Sequence, residues 1–172
     1  MFKQLVFFFC LALLVFGGYQ LYVRMAPAEA QIEWTVESAA EAFNTRNKVE
    51  CLAVFADDYT DSSQGDEFDE RTIDKPLLEQ GLDYMFSNRV DSETGDFLYR
   101  VKPVMQTLSI KLQSENHATA QLRMILKVKM GHTWSDVWGV EVNAKLRKQG
   151  RSWVISSSIL RNLMGHRPWS WE

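Results

Sequence analysis

The chain has 172 residues, 46% of them hydrophobic and 12% aromatic, which suits one domain with its own core and excludes a disordered polar chain. A net charge of -3 disfavours a strongly basic nucleic-acid binder, and two cysteines, Cys10 and Cys51, exclude a disulfide scaffold or a C-x-x-C motif. Residues 1–98 carry 7 Lys and Arg against 18 Asp and Glu, and residues 99–172 carry 12 against 4, so an acidic half and a basic half are expected to attract each other within the fold.

The first element is apolar. Lys3 precedes an uninterrupted apolar run from Leu5 to Phe16, which continues more weakly to Val23 before Arg24. Leu5 to Val23 meets the requirement of about 20 residues for crossing a bilayer, with Tyr19 and Tyr22 near an interface and Arg24 as a stop. This predicts a transmembrane signal-anchor over residues 1–25 and a linker over 26–31. The amine and Lys3 against Arg24 put the N-terminus in the cytoplasm and the globular domain on the extracytoplasmic side of the cell membrane. The alternative is a signal peptide cleaved after Ala28-Glu29-Ala30, although that triplet lies about fourteen residues beyond Phe16, longer than an ordinary spacer.

Three helices are expected next. Ile32, Val36, Ala39, Ala40 and Phe43 recur at helical spacing, with Glu33, Glu37 and Glu41 on the wet side. After "NTRN" a shorter helix runs from about Val49, with Leu52, Phe55 and Ala56 on one face, to a polar end at Asp57 and Asp58. Asp74 before Lys75-Pro76 reads as the cap of a third helix carrying Leu78, Gly81, Leu82, Met85 and Phe86.

Beyond Phe97 the period becomes 2. "QTLSIKL", "HATAQLRMILKVKM", "VWGVEVNAKLRK" and "RSWVISSSIL" read as four strands joined by short turns into an antiparallel meander. The apolar face comprises Ala118, Ala120, Leu122, Met124, Leu126, Val128, Met130, Trp138, Val140, Val142, Ala144 and Leu146, continued by Trp153, Ile155 and Ile159. The opposite face carries Lys111, Arg123, Lys127, Lys129, Lys145 and Arg147. Helices first and a one-sided sheet last make an α+β domain over residues 32–163. An aromatic tail with Trp169 and Trp171 follows over residues 164–172, expected to fold back over the domain.

The chemistry-bearing motifs are few. The acids from Asp57 to Asp74 lack the alternation and central glycine of a calcium loop, the histidines are scattered, and neither a glycine-rich phosphate loop nor a nucleophile elbow is present. No metal and no cofactor is expected. The basic sheet face has few interleaved aromatics, so it is read as a solvated face and not as a nucleic-acid surface; anionic lipid or an acidic protein is the alternative.

The order of elements, with the short helix ending "LAVFADDYTD" and the last strand "WVISSSIL", resembles the nuclear transport factor 2-like superfamily, which includes the SnoaL-like cyclases and ketosteroid isomerases. The resemblance spans Ile32 to Leu163. It implies a curved sheet of four strands or more, closed like a cone over three helices, often dimeric, with a pocket between them. The pocket residues it implies are Phe55, Tyr84, Leu122, Met124, Leu126, Trp138, Val140 and Trp153. In the isomerase branch it maps the general base to Asp61; the inward strand positions read above hold no Asp, Glu, His or Tyr, so the hydrogen-bond donors are sought in a hydroxyl from Tyr59, Tyr84 or Tyr99 at the mouth and in Ser157, read as inward on the last strand. The superfamily also holds non-catalytic carriers and scaffolds, and an anchored cone is similar in layout to inner-membrane scaffold subunits of type IV secretion systems. The reading that follows is a membrane-anchored, non-catalytic ligand-binding or protein-scaffold module, with a possible homodimer through the sheet and an apolar small molecule in the pocket. The alternative is an isomerase, cyclase or hydrolase that uses Asp61 as its base.

Overall fold

A computed structural model describes residues 26–61 and 72–165. The stretch read from sequence as a signal-anchor, residues 1–25, most of the acidic loop and the tryptophan tail lie outside the described residues. Among the described residues no helix is long and apolar enough to cross a membrane.

Helix α1 spans Ala28–Asn44, so it starts inside the stretch read as a linker, and the Ala28-Glu29-Ala30 triplet is its first turn. Ile32, Val36 and Ala40, four residues apart, form its buried stripe. The chain turns at Arg46, which takes a positive φ of 57°, and Asn47 then caps α2, Lys48–Ala53, by accepting from the Glu50 amide. Helix α3, Lys75–Asn88, starts where the sequence predicts: Asp74 accepts from the Leu77 amide, Pro76 sits in the first turn, and Gly81, Leu82 and Met85 are buried.

The second helix does not reach Asp57. It ends at Ala53, and "FADDYTD" is strand β1, Phe55–Asp61. The physical reason is a distant partner. The Ile155 amide bonds the Val54 carbonyl, Phe55 lies opposite Ile155, and Thr60 and Asp61 lie opposite Ser157 and Ser158 in a parallel pair. Pairing favours the β-branched and aromatic residues Phe55, Tyr59 and Thr60 as strand, which overrides a helical spacing of only one turn. Asp57 and Asp58 are therefore exposed strand residues and not a helix end.

Strand β2, Ile73–Asp74, pairs antiparallel with β1. The meander follows as β3, Tyr99–Ser114; β4, His117–Met130; β5, Thr133–Gln149; and β6, Ser152–Gly165. The sheet thus has six strands in the order β2-β1-β6-β5-β4-β3, curved but not closed, because β2 and β3 remain its two edges. Its apolar face packs against the helices in one cluster that includes Ile32, Val36, Leu122, Val142 and Leu146.

Two bulges alter the inward set. Leu126 faces Trp138 but Lys127 faces Asp136, so Val137 is extra; Lys145 faces Ser157 but Leu146 faces Ile155, so Ser156 is extra. Beyond Ser156 the faces exchange: Ser158 points into the core, while Ser157 lines a groove on the other face and Ile159 is 50% exposed. Inward Ile159 and inward Ser157 are corrected by that one inserted residue. Met130, beside the turn at Gly131, is 56% exposed and leaves the core face as well.

The acidic and basic halves do meet. Arg147 holds Asp58 through two bonds of 2.8 and 2.5 Å, and Lys129 bonds Asp96 at 2.7 Å. The guanidinium keeps the Asp58 carboxyl below its usual range. As this pair is exposed and screened by solvent, Asp58→Ala is expected to leave the urea midpoint nearly unchanged. A larger loss would mean that the Asp58 carboxylate also holds the β1–β6 pair in register.

Candidate functional site

The end of strand β1 alternates, with Thr60 exposed between buried Tyr59 and Asp61, so Tyr59 and Asp61 lie on the same buried face. The Ser156 bulge brings Ser158 to meet them from β6. The Tyr59 hydroxyl and Ser158 Oγ are 2.8 Å apart, and the Asp61 Cα is registered against Ser158 on one side and Ile73 on the other. Asp61 and Ser158 are each 6% exposed and are the buried polar side chains of the described residues. Sequence reasoning reached Tyr59 and Asp61 but missed Ser158. The signal lay in the run Ser156–Ser158, three small polar residues in succession where alternation asks for an apolar one.

Burial, more than the nearby Asp61, pushes the Tyr59 phenol up to about 12, with the Ser158 bond working the other way. An unfolded tyrosine ionises near 10, so above that pH the unfolded chain releases a proton that the fold retains. The stability this contributes is complete below about pH 10 and is lost as pH rises toward about 12. Urea midpoints measured from pH 8 to 11 should fall more steeply for the native chain than for Tyr59→Phe. Parallel slopes would show that Tyr59 is not the group responsible.

A cavity of about 220 Å³ lies between the helices and the sheet. Helix α1 contributes Ala39, Ala40 and Phe43, α2 contributes Cys51, and α3 contributes Leu78, Gly81, Leu82 and Met85. Phe55, Val101 and Met124 close the strand side, and no polar atom is exposed to the space. Burial pushes the Cys51 thiol up to about 11, so it is a neutral apolar wall and not a nucleophile. Of the pocket residues expected from the resemblance, Phe55 and Met124 line this cavity. Leu122, Leu126, Trp138, Val140 and Trp153 are buried in the core beside it. Tyr84 is 47% exposed on α3, outside the stripe of Gly81, Leu82 and Met85, with Arg89 over its ring. Tyr99 is buried in the core cluster. Tyr59, Asp61 and Ser158 do not line the cavity; Phe55 stands between, with its ring 4.7 Å from that of Tyr59. Among the described residues no group of three His, Cys, Asp or Glu is placed to hold a metal ion.

No family model and no curated protein matches the sequence. Solved structures do match. A protein of unknown function from Mycobacterium tuberculosis superposes with a TM-score of 0.62 at 18% identity, over 78% of this chain and 75% of that one. An NTF2-like protein with a cystatin-like fold from Novosphingobium aromaticivorans gives 0.63 at 10% identity, over 79% and 82%. The beta subunit of the benzoate 1,2-dioxygenase from Burkholderia mallei gives 0.64 at 12% identity, over 78% and 89%. The fold is that of the NTF2-like, cystatin-like proteins. At these identities the likeness establishes the fold and not the function.

Proposed function

We propose that this NTF2-like domain is a non-catalytic binding module that takes a small apolar molecule between its three helices and its sheet. The observation that carries this reading is the cavity lining, which exposes no donor, acceptor or charge to a bound molecule. An apolar lining of this kind favours apolar molecules over polar ones, but it has no means of polarising a carbonyl. Its volume is below the usual 300 to 1,000 Å³ of pockets for drug-sized ligands, so the occupant is a single-ring molecule or a short aliphatic one.

Benzene at about ten times its dissociation constant should stabilise the native chain by about 1.4 kcal/mol, a rise of a few degrees in the thermal midpoint. Ala39→Leu, which fills the space, should lose that rise while remaining folded. An equal rise in both proteins would sink the reading. Native mass spectra of the full chain released from uncharged detergent would identify a retained ligand, and would also report whether the domain is a homodimer.

We place the domain on a membrane through residues 1–25, on the extracytoplasmic side, on the strength of the apolar run from Leu5 to Val23. Mass spectrometry of the mature N-terminus tests this, and a chain beginning at Gln31 would refute it. A second reading, proton abstraction by Asp61 with Tyr59 as hydrogen-bond donor, has one observation in its favour: the two side chains are buried on one strand face beside Ser158. Asp61→Asn should then abolish deuterium exchange next to the carbonyl of a bound ketone while leaving the fold intact. A variant that exchanges as fast as the native chain would exclude it.

A further inference from the structure

On the face of the sheet away from the helices, a groove of about 330 Å³ crosses β3 to β6. Register sets its composition. Lys111, Thr119, Lys145 and Ser157 lie side by side on β3, β4, β5 and β6, so ammonium and hydroxyl groups alternate across the sheet. Gln121 and Asn143 stand on the adjoining row. The groove lies between two irregularities, the register shift in β3 that ends at Ser109 and the bulge at Ser156, and both bend the sheet beside it.

Two facts set the charge of this place. First, no carboxylate lines it. Second, Lys127, Lys129, Arg147 and Arg161 on the sheet are each bonded to an Asp or Glu, whereas Lys111 and Lys145 have no ion-pair partner among the described residues. Lys111 and Lys145 are two of the six Lys and Arg on β3 to β6 without such a partner among the described residues, and both line this groove. Strands are spaced by about 4.8 Å, so the two lysine backbones stand about 10 Å apart with Thr119 between them, and both side chains can reach one anion above it.

We infer that this groove binds a phosphate group, held between Lys111 and Lys145 with the Thr119 hydroxyl beneath it. Lysine is a compact point charge and a common phosphate binder, and two of them can approach one tetrahedral oxyanion from two sides. The Gln121 and Asn143 amides are positioned to hydrogen-bond the polar group that bears the phosphate. The phosphate can belong to a small soluble ester or to a lipid headgroup.

The test is lysine acetylation of the full chain, read residue by residue by mass spectrometry, at fixed ionic strength. Inorganic phosphate at about ten times its dissociation constant should slow modification of Lys111 and Lys145 about tenfold, and leave exposed Lys102 and Lys148 unchanged. Protection by phosphate alone identifies a soluble phosphate group. Protection seen only in phosphatidylglycerol vesicles, and not in phosphatidylcholine vesicles, identifies a headgroup. Because one anion is shared, Lys111→Gln, an exposed change that leaves the core untouched, should abolish the protection of Lys145. The inference is overturned if all four lysines slow together, if none slows under either condition, or if Lys145 stays protected in Lys111→Gln.

Discussion

Replacing Leu146 by alanine is expected to lower the free energy of unfolding by about 3 kcal/mol, within the 2 to 5 kcal/mol range for fully buried leucines. Leu146 and Ile32 are the largest side chains in the described residues with essentially no exposed surface. Leu146 lies opposite Ala118 on β4 and Ile155 on β6, on the central strand β5. Alanine on the β4 side offers no bulk to collapse into the void, so the cavity term adds to the lost transfer energy. Leu112→Ala is the control, since that side chain is 40% exposed at the edge strand and should cost under about 1 kcal/mol. Urea titrations with unchanged slopes would measure both. Equal losses at the two sites would place the core elsewhere.

Asn44→Ala is expected to cost about 2 kcal/mol although it removes little apolar surface. Its side-chain amide donates to the Val101 carbonyl at 3.0 Å, and its oxygen accepts from the Val101 amide at 2.8 Å. It satisfies both edge-facing backbone groups of one residue on β3, much as a neighbouring strand would, and it fixes the end of α1 to the sheet. Alanine leaves both groups to water in a half-buried setting. Asn44→Asp separates the two bonds: the acceptor for the amide survives, while a carboxylate now faces the Val101 carbonyl. Its loss should equal or exceed that of alanine at neutral pH and shrink as the carboxyl protonates below about pH 4. A loss in Asn44→Asp that does not change with pH would refute the paired-bond account.

The helices and the meander were legible because each carries its own period. The stripe Ile32, Val36, Ala40 is helical whatever surrounds it, and the Asp74-Lys75-Pro76 start has a local cause in capping. Strand β1 was not legible, because the residues that make it a strand are Ile155 to Ser158 and no window around Phe55 contains them. The same holds for the bulges: alternation in "RSWVISSSIL" runs smoothly through Ser156, and only pairing with β5 shows which serine is extra. The candidate site inherited both errors. Asp61 and Tyr59 were picked from a segment assigned to the wrong element, and their partner was taken to be Ser157 where the fold presents Ser158. The pocket expectation named strand residues, whereas the cavity is walled mainly by helices, which sequence periodicity marks as buried without saying what they enclose.

The parallel pairing of β1 with β6 also dictates an order of events during synthesis. Tyr59 and Ser158 are 99 residues apart in the chain, so β1 leaves the ribosome well before the partner strand that closes one side of the sheet. At about 5 to 20 residues per second the ribosome takes about 5 to 20 s to supply that partner. Until then Phe55 and Tyr59 are exposed on an unpaired strand, and the closing contact is among the least local in the fold, which makes it slow. Chains that stop short of β6 would therefore emerge with an open strand edge rather than a smaller domain, a substrate for chaperones and proteases.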